Sequence, residues 1–162
     1  MGISVPFVPT PTEVVREMLR IAELKPGEIV VDLGCGDGRV LTVAAKEFDA
    51  FAVGVEARRD LIVRALVNVR KANVLGRVLI IQGDFFKLNL GFADVVFLYL
   101  LSSVNEILKP KLEKELKDNA RVVSHDFEVR GWRPTKEIKV RNGYRSHTVY
   151  LYRISDVRGE AH

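Results

Sequence analysis

The sequence predicts an α/β domain built on an open, mostly parallel sheet that ends in an antiparallel pair. Three observations predict it. Short apolar runs alternate with segments of helical periodicity, as in strand–helix–strand units. The first such run, "IVVDL", leads into a glycine-rich turn, "GCGDGRV", at the position where open parallel sheets hold ligands. The last two runs, "KEIKV" and "SHTVYLYRI", alternate apolar and polar residues around Asn142-Gly143, a favoured hairpin pair.

Residues 12–24 place Val14, Val15, Met18, Leu19, Ile21 and Ala22 on one helical face, with Thr12 as the N-cap, and "KPGE" ends the helix. "IVVDL" is nearly all apolar, as a strand buried on both faces must be. A helix over 38–48 follows, then a second buried strand, "FAVGVE", at 51–56. The next helix, 58–72, turns Leu61, Ile62, Ala65, Leu66 and Val69 inward. Strands are expected at 77–84, 93–100 and 120–129. Between the last two, "SVNEILKPKLEKELK" reads as a helix in two pieces split near Pro110, where proline removes a helical hydrogen bond.

At 162 residues, with 48% hydrophobic and 28% charged side chains, the chain has the balance of one soluble globular domain over 1–162. No apolar run approaches the roughly 20 residues of a membrane-spanning helix. "MGISVPFVPTPT" has neither the basic start nor the apolar stretch of a signal peptide, so a cytoplasmic protein without membrane contact is expected. Cys35 is the only cysteine and no Cys/His cluster is visible, which excludes an internal disulfide and leaves no metal site in view. A net charge of +4 permits nucleic acid as a partner without favouring it, because no dense Lys/Arg block with interleaved aromatics stands out. Glutamine occurs once, at Gln82, among plentiful Lys, Arg and Glu, a thermophilic leaning. A chain this small, with no dimerisation element, is expected to be a monomer.

The glycine turn carries the chemistry. Phosphate loops end in Gly-Lys-Ser/Thr, whereas this one continues "GRVL" and lacks both the lysine and the hydroxyl. The dinucleotide fingerprint needs a glycine where Arg39 stands, and Asp37 would crowd a pyrophosphate. A ligand with a cationic end fits better, and S-adenosylmethionine is one, with its sulfonium and ammonium near the turn. Glu56 closes the second strand 20 residues beyond Gly36, where a carboxylate accepts both ribose hydroxyls. Asp84 and Phe85 follow the third strand, offering an acceptor for the adenine amine and an aromatic face for its ring. Asp32, the glycine turn, Glu56 and Asp84 thus occur in the order such a ligand requires.

With those residues the chain resembles the class I S-adenosylmethionine-dependent methyltransferases over nearly its full length: "VVDLGCGDG" is similar to their first motif, "GVE" to their second and "QGDFF" to their third. The resemblance implies a Rossmann-like, seven-stranded sheet with a C-terminal antiparallel hairpin, and cofactor contacts at Asp32, Gly34, Cys35, Gly36, Asp37, Glu56, Ala57, Gly83, Asp84 and Phe85. At Cys35 the backbone matters more than the thiol. A narrower likeness lies outside these motifs. "PFVPTPTEVVREML", "VVFLYLLSSVNEILKPKLEKELK", "RVVSHDFEVRGW" and "HTVYLY" resemble the small archaeal protein-lysine methyltransferases of broad specificity, from about Phe7 to Tyr152. This implies protein substrates that present exposed lysines, an arm and helix over 1–24 that cover the cofactor through Phe7 and Thr10, and Tyr99 beside the transferred methyl group.

Methyl transfer is an in-line displacement, so acceptor, methyl and sulfur must be held collinear and dry. A lysine amine, with a reference pKa near 10.4, must also lose a proton, which an apolar aromatic channel beside a sulfonium promotes. Asn105 either accepts a hydrogen bond from that amine or caps a helix. Ser124, His125 and Asp126 form no hydrolase triad, because strand alternation turns Ser124 and Asp126 one way and His125 the other. His125 is then a satisfied structural histidine. Trp132 either borders the substrate surface or packs. "FLYLLS" lacks the prolines of the base-amine methylation motif, and Cys35 is misplaced for cytosine C5 chemistry. Methylation of RNA or a small molecule, and a non-catalytic S-adenosylmethionine-binding module, remain the alternatives.

Overall fold

The structure, a computed structural model, describes residues 7–160. Seven strands form one sheet in the order β3-β2-β1-β4-β5-β7-β6. They are β1 (Ile29–Leu33), β2 (Phe51–Glu56), β3 (Val78–Gln82), β4 (Val95–Leu98), β5 (Arg121–His125), β6 (Lys136–Asn142) and β7 (Arg145–Arg153). The first five are parallel, whereas β7 runs antiparallel between β5 and β6. The helices are α1 (Thr12–Ile21), α2 (Arg39–Glu47), α3 (Arg59–Lys71), α4 (Ser102–Glu115) and α5 (Ile154–Glu160). Strand order reverses between β1 and β4, and a crevice opens there at the carboxyl ends of the strands.

Strand alternation divides the interior into two cores. On β4, Val95 and Phe97 face the core under α1 and α2, while Val96 and Leu98 face the one under α4. Val30 and Val31 divide in the same way, so the strands read as unbroken apolar runs because both faces are covered. Each such side chain, fully buried, contributes about 1.5–3 kcal/mol. Arg121 ties the base of the sheet together. Its guanidinium donates to the carbonyls of Ala22 and Glu23 at the end of α1 and forms an ion pair with Glu28 at 2.6 Å.

Several elements differ from the sequence reading. Pro11, not Thr12, holds the N-cap of α1, with its carbonyl accepting from Val15, and the helix ends at Ile21 because Glu23 turns left-handed at φ 55°. Helix α4 runs unbroken through Pro110, which lies on the exposed face, so the carbonyl of Glu106 freed by proline faces solvent. Leu66 is 46% exposed, because α3 lies over the β3 edge and only Leu61, Ala65 and Val69 reach the sheet. Strands β3 and β4 are shorter than expected. β5 stops at His125, because Asp126 adopts φ 61°. The hairpin turn is Gly143-Tyr144, one residue beyond the anticipated pair, with Asn142 opposite Arg145. Helix α5 had no counterpart in the sequence reading. Trp132 packs edge-on against Tyr152 and donates its indole N–H to Glu113, which favours packing over a place on a substrate surface. Among the described residues, no helix is long and apolar enough to cross a membrane.

Candidate active site

The turn from β1 into α2 lies at the crevice, and Gly34, Gly36 and Gly38 all take positive φ there. A Cβ on Gly36 would stand 2.4 Å from Cε2 of Phe7, so only glycine lets that ring lie against the turn. Five backbone amides of the turn are engaged within the protein. Gly34 and Cys35 donate to the carbonyl of Val55 on β2, Gly36 to Glu56 Oε1 at 2.9 Å, and Gly38 to the Cys35 carbonyl. Arg39 donates to Asp37 Oδ1. An anion cradle needs such amides free and pointing at the ligand; this turn keeps those five for itself.

A cavity of about 210 Å³ opens beside the turn. Of the residues expected from sequence to contact the cofactor, Phe7, Thr10, Asp32, Gly34, Cys35, Gly36, Asp37, Glu56 and Tyr99 line it. Ala57, Gly83, Asp84 and Phe85 share the same edge of the sheet but lie outside the lining. Asp84 uses its carboxylate on the amide of Phe86 in a short 3-10 turn. Asn105 does not reach the cavity. It is fully buried on α4, where its Nδ2 donates to the carbonyls of Phe127 and Glu128 and holds the turn after β5, and its Oδ1 has no partner among the described residues.

The sequence reading missed Val8, Pro9, Arg39, Val40, Arg58, Leu61 and Phe97. Arg58 and Leu61 follow β2 at the same sheet edge as the glycine turn, and Phe97 is paired in register with Asp32, so topology was the signal that could have found them. Both arginines are engaged with carboxylates, Arg39 with Asp37 at 2.7 Å and Arg58 with Asp60 at 2.8 Å. The cavity is therefore acidic. Asp32 is 5% exposed and no described residue donates a hydrogen bond to it. Burial, followed by the carboxylates of Glu56 and Asp37, pushes its carboxyl well above the usual range. Glu56 is oriented by two backbone amides, of Gly36 and Arg58, each at 2.9 Å, and each oxygen keeps a lone pair for a ligand. Cys35 lies under the turn against Gly54, where burial, then Asp32 and Glu56, push its thiol upward and leave it inert.

Tyr99 follows β4 at the far wall. Its ring packs on His125 with centroids 4.0 Å apart and stacks on Phe127 at 6.1 Å. His125 is buried and satisfied, with Nδ1 3.0 Å from Thr10 Oγ1 and Nε2 2.7 Å from His147 Nδ1. Strand alternation fails after it. The left-handed Asp126 brings its carboxylate back to 3.4 Å from His125 Nε2, so the two share a side. The fold thus gathers a His125–Asp126–His147 group that the sequence did not show, but its facing nitrogens are bonded to each other rather than converging on a metal.

Comparison with known proteins agrees with this geometry. Residues 32–136 match the model of the ANTKMT methyltransferase domain. A protein-lysine N-methyltransferase of Saccharolobus islandicus is 55% identical over 94% of this chain and 95% of its own length. An adenine nucleotide translocase lysine N-methyltransferase of Mus musculus is 33% identical over 83% of this chain; the matched region spans 58% of that protein. A crystal structure described as an RNA methyltransferase of Salinibacter ruber in complex with S-adenosyl-L-homocysteine superposes with a TM-score of 0.86. It is 40% identical and covers 91% of this chain and 94% of its own. Crevice, acidic turn and full-length similarity converge, and the chain belongs to the ANTKMT methyltransferase domain family.

Proposed function

We propose that the protein moves a methyl group from S-adenosylmethionine to lysine side-chain amines of proteins. The observation that carries the donor assignment is Asp32, buried and without a hydrogen-bond donor among the described residues, in a cavity whose turn commits the amides of Gly34, Cys35, Gly36, Gly38 and Arg39 within the protein. A cation relieves that carboxylate, and Glu56 has lone pairs left for a ribose. When bound, the donor supplies the electrophilic methyl on a sulfonium. Asp32 and Asp37 would hold its positive end, Glu56 its sugar, and Phe7 and Thr10 would close over it.

The acceptor step asks little covalent chemistry of the protein. Tyr99, backed by Phe127 and His125, walls the channel and excludes water, so an entering ammonium loses hydration and its proton leaves more readily. Neither nitrogen of His125 is free to serve as a general base, which favours desolvation as the activating device. The lysine assignment is supported by the Saccharolobus and mouse relatives, and the Salinibacter structure supports an RNA reading instead. In this reading the N-terminal arm and helix over 1–24 cover the donor within a single domain; residues 1–6 lie outside the described ones. The same reading makes the protein a cytoplasmic monomer of a thermophilic archaeon, supported by the archaeal relative, the sparse glutamine and a site formed within one chain.

The test is transfer of label from methyl-labelled S-adenosylmethionine to a basic protein, to the same protein with its lysines blocked, and to RNA. Label that disappears on blocking supports the assignment. Label only in RNA replaces the acceptor, and donor binding without transfer to any acceptor reduces the protein to a binding module.

A further inference from the structure

The described arm, residues 7–10, and the channel wall at Tyr99 are far apart in sequence, and one side chain touches both. Thr10 is 4% exposed; its hydroxyl meets His125 Nδ1 at 3.0 Å and its carbonyl accepts from Arg39, which is itself paired with Asp37 of the glycine turn. On its face, the imidazole of His125 carries the ring of Tyr99 at 4.0 Å. Behind, His147 Nδ1 holds Nε2 at 2.7 Å, and Asp126 faces the pair while its Oδ1 accepts the amide of Thr148 and Arg145 approaches its Oδ2. The ring is therefore held at both nitrogens.

We propose that His125 is a positioning residue for methyl transfer, which latches the arm through Thr10 and fixes the plane of Tyr99 with the same ring, so that covering the donor and aligning the channel are one event. This rests on the reading that Tyr99 walls the transfer channel and that the arm covers S-adenosylmethionine. The chemistry of the contact set supports it. Any buried imidazole needs its nitrogens paired; what a merely structural histidine does not need is that one of those partners is the hydroxyl of the arm while its face carries the wall residue Tyr99. Burial lowers the His125 pKa to about 4, which keeps the ring neutral at working pH and free of charge repulsion toward an incoming ammonium or the bound sulfonium.

Two substitutions separate the two functions of the ring. His125→Asn keeps a polar atom near the Nδ1 position for Thr10 but removes the face under Tyr99. His125→Phe keeps a face and removes the hydrogen bond. The full chain, titrated with S-adenosylmethionine by calorimetry and assayed in single turnovers at saturating donor on the acceptor that wild type labels, is expected to divide accordingly. His125→Asn should bind donor within about twofold of wild type yet transfer about tenfold more slowly, and His125→Phe should show the reverse, with donor binding weakened about five- to tenfold. Thr10→Val should match His125→Phe in donor affinity, and the double variant should be no weaker than either alone.

Parallel shifts of affinity and rate in both histidine variants, additive losses in the double variant, or a change confined to melting temperature would each overturn the proposal. If wild type transfers no methyl group to any acceptor, the functional reading fails instead. The affinity comparison of Thr10→Val with His125→Phe still decides the latch.

Discussion

Replacing Glu56 with glutamine changes one oxygen to an amide nitrogen and removes a charge, and the structure states the consequence. Both oxygens already accept backbone amides, of Gly36 and Arg58, at 2.9 Å. Whichever way the new amide turns, its NH₂ faces one of those N–H groups, so one of the two bonds that orient the side chain is lost along with one acceptor for the ligand. Hydrogen bonds to a charged group contribute about 1.5–3 kcal/mol net, and neutral ones about 0.5–1.5. The exchange should cost donor binding about 1–3 kcal/mol, roughly a 5- to 150-fold rise in Kd. Glu56→Ala should fall in the same range. Calorimetric titration with S-adenosylmethionine and with an analogue lacking both ribose hydroxyls checks it. The analogue should bind wild type weakly and lose little further on substitution. An unchanged Kd for the natural donor removes Glu56 from the site; an equal loss for both ligands shows that Glu56 acts by shaping the turn and not by holding the sugar.

Other outcomes follow from the same geometry. Arg121→Met breaks the ties to Ala22, Glu23 and Glu28 and should destabilise the fold by about 3 kcal/mol, read as a fall in Tm of about 6–12 °C with donor affinity retained in the folded protein. For His125 the folded pKa of about 4 lies below the unfolded value of about 6.5. Unfolding therefore takes up roughly one proton between these pH values: the contribution is fully present above pH 6.5 and lost as pH falls through 4, and His125→Asn should flatten that part of a denaturant-midpoint profile. Asp32, with its carboxyl pushed upward by burial and by Glu56 and Asp37, should hold the donor less tightly as falling pH protonates it, since the charge facing the cation is then lost. The donor Kd measured across pH should report that loss, and Asp32→Asn should flatten it.

The parts of the fold that were legible in the sequence are those decided locally or by alternation alone. Strands buried on both faces, such as β1 and β2, need unbroken apolar runs, and the positive-φ turn needs its glycines, so both show in the sequence. Glu56 was legible because one strand–helix–strand unit has a nearly fixed length. The rest depended on contacts that sequence spacing does not reveal. Arg121 reaches the end of α1 across 99 residues, and His147 meets His125 only because β7 inserts antiparallel beside β5. Leu66 sits on the expected face of its helix and is still exposed, because the sheet ends at β3. Asp126 was misjudged for a backbone reason: an aspartate tolerates the left-handed region, and one such residue reverses every facing assignment that follows. Asn105 was left open between two roles for a side-chain reason: spacing does not show that its Nδ2 serves the turn after β5 while its Oδ1 has no partner among the described residues.

The preference for a cation does not follow from the glycines themselves. Glycine-rich turns bind phosphate when they leave amides unpaired at a helix N-terminus. Here β2 engages three of them, those of Gly34, Cys35 and Gly36, through the Val55 carbonyl and the Glu56 carboxylate, so the end of the second strand limits what the first turn can offer an anion. The arginines that would offset the acids are neutralised by Asp37 and Asp60, which leaves Asp32 and Glu56 as the charge a ligand meets. Removing either carboxylate would weaken cation binding; loss of Glu56 would also free the amide of Gly36, whereas those of Gly34 and Cys35 stay bound to Val55 as long as β1 and β2 remain paired. The pairing of two strands thus withholds the amides of Gly34 and Cys35 from any ligand, and one side chain, Glu56, withholds that of Gly36.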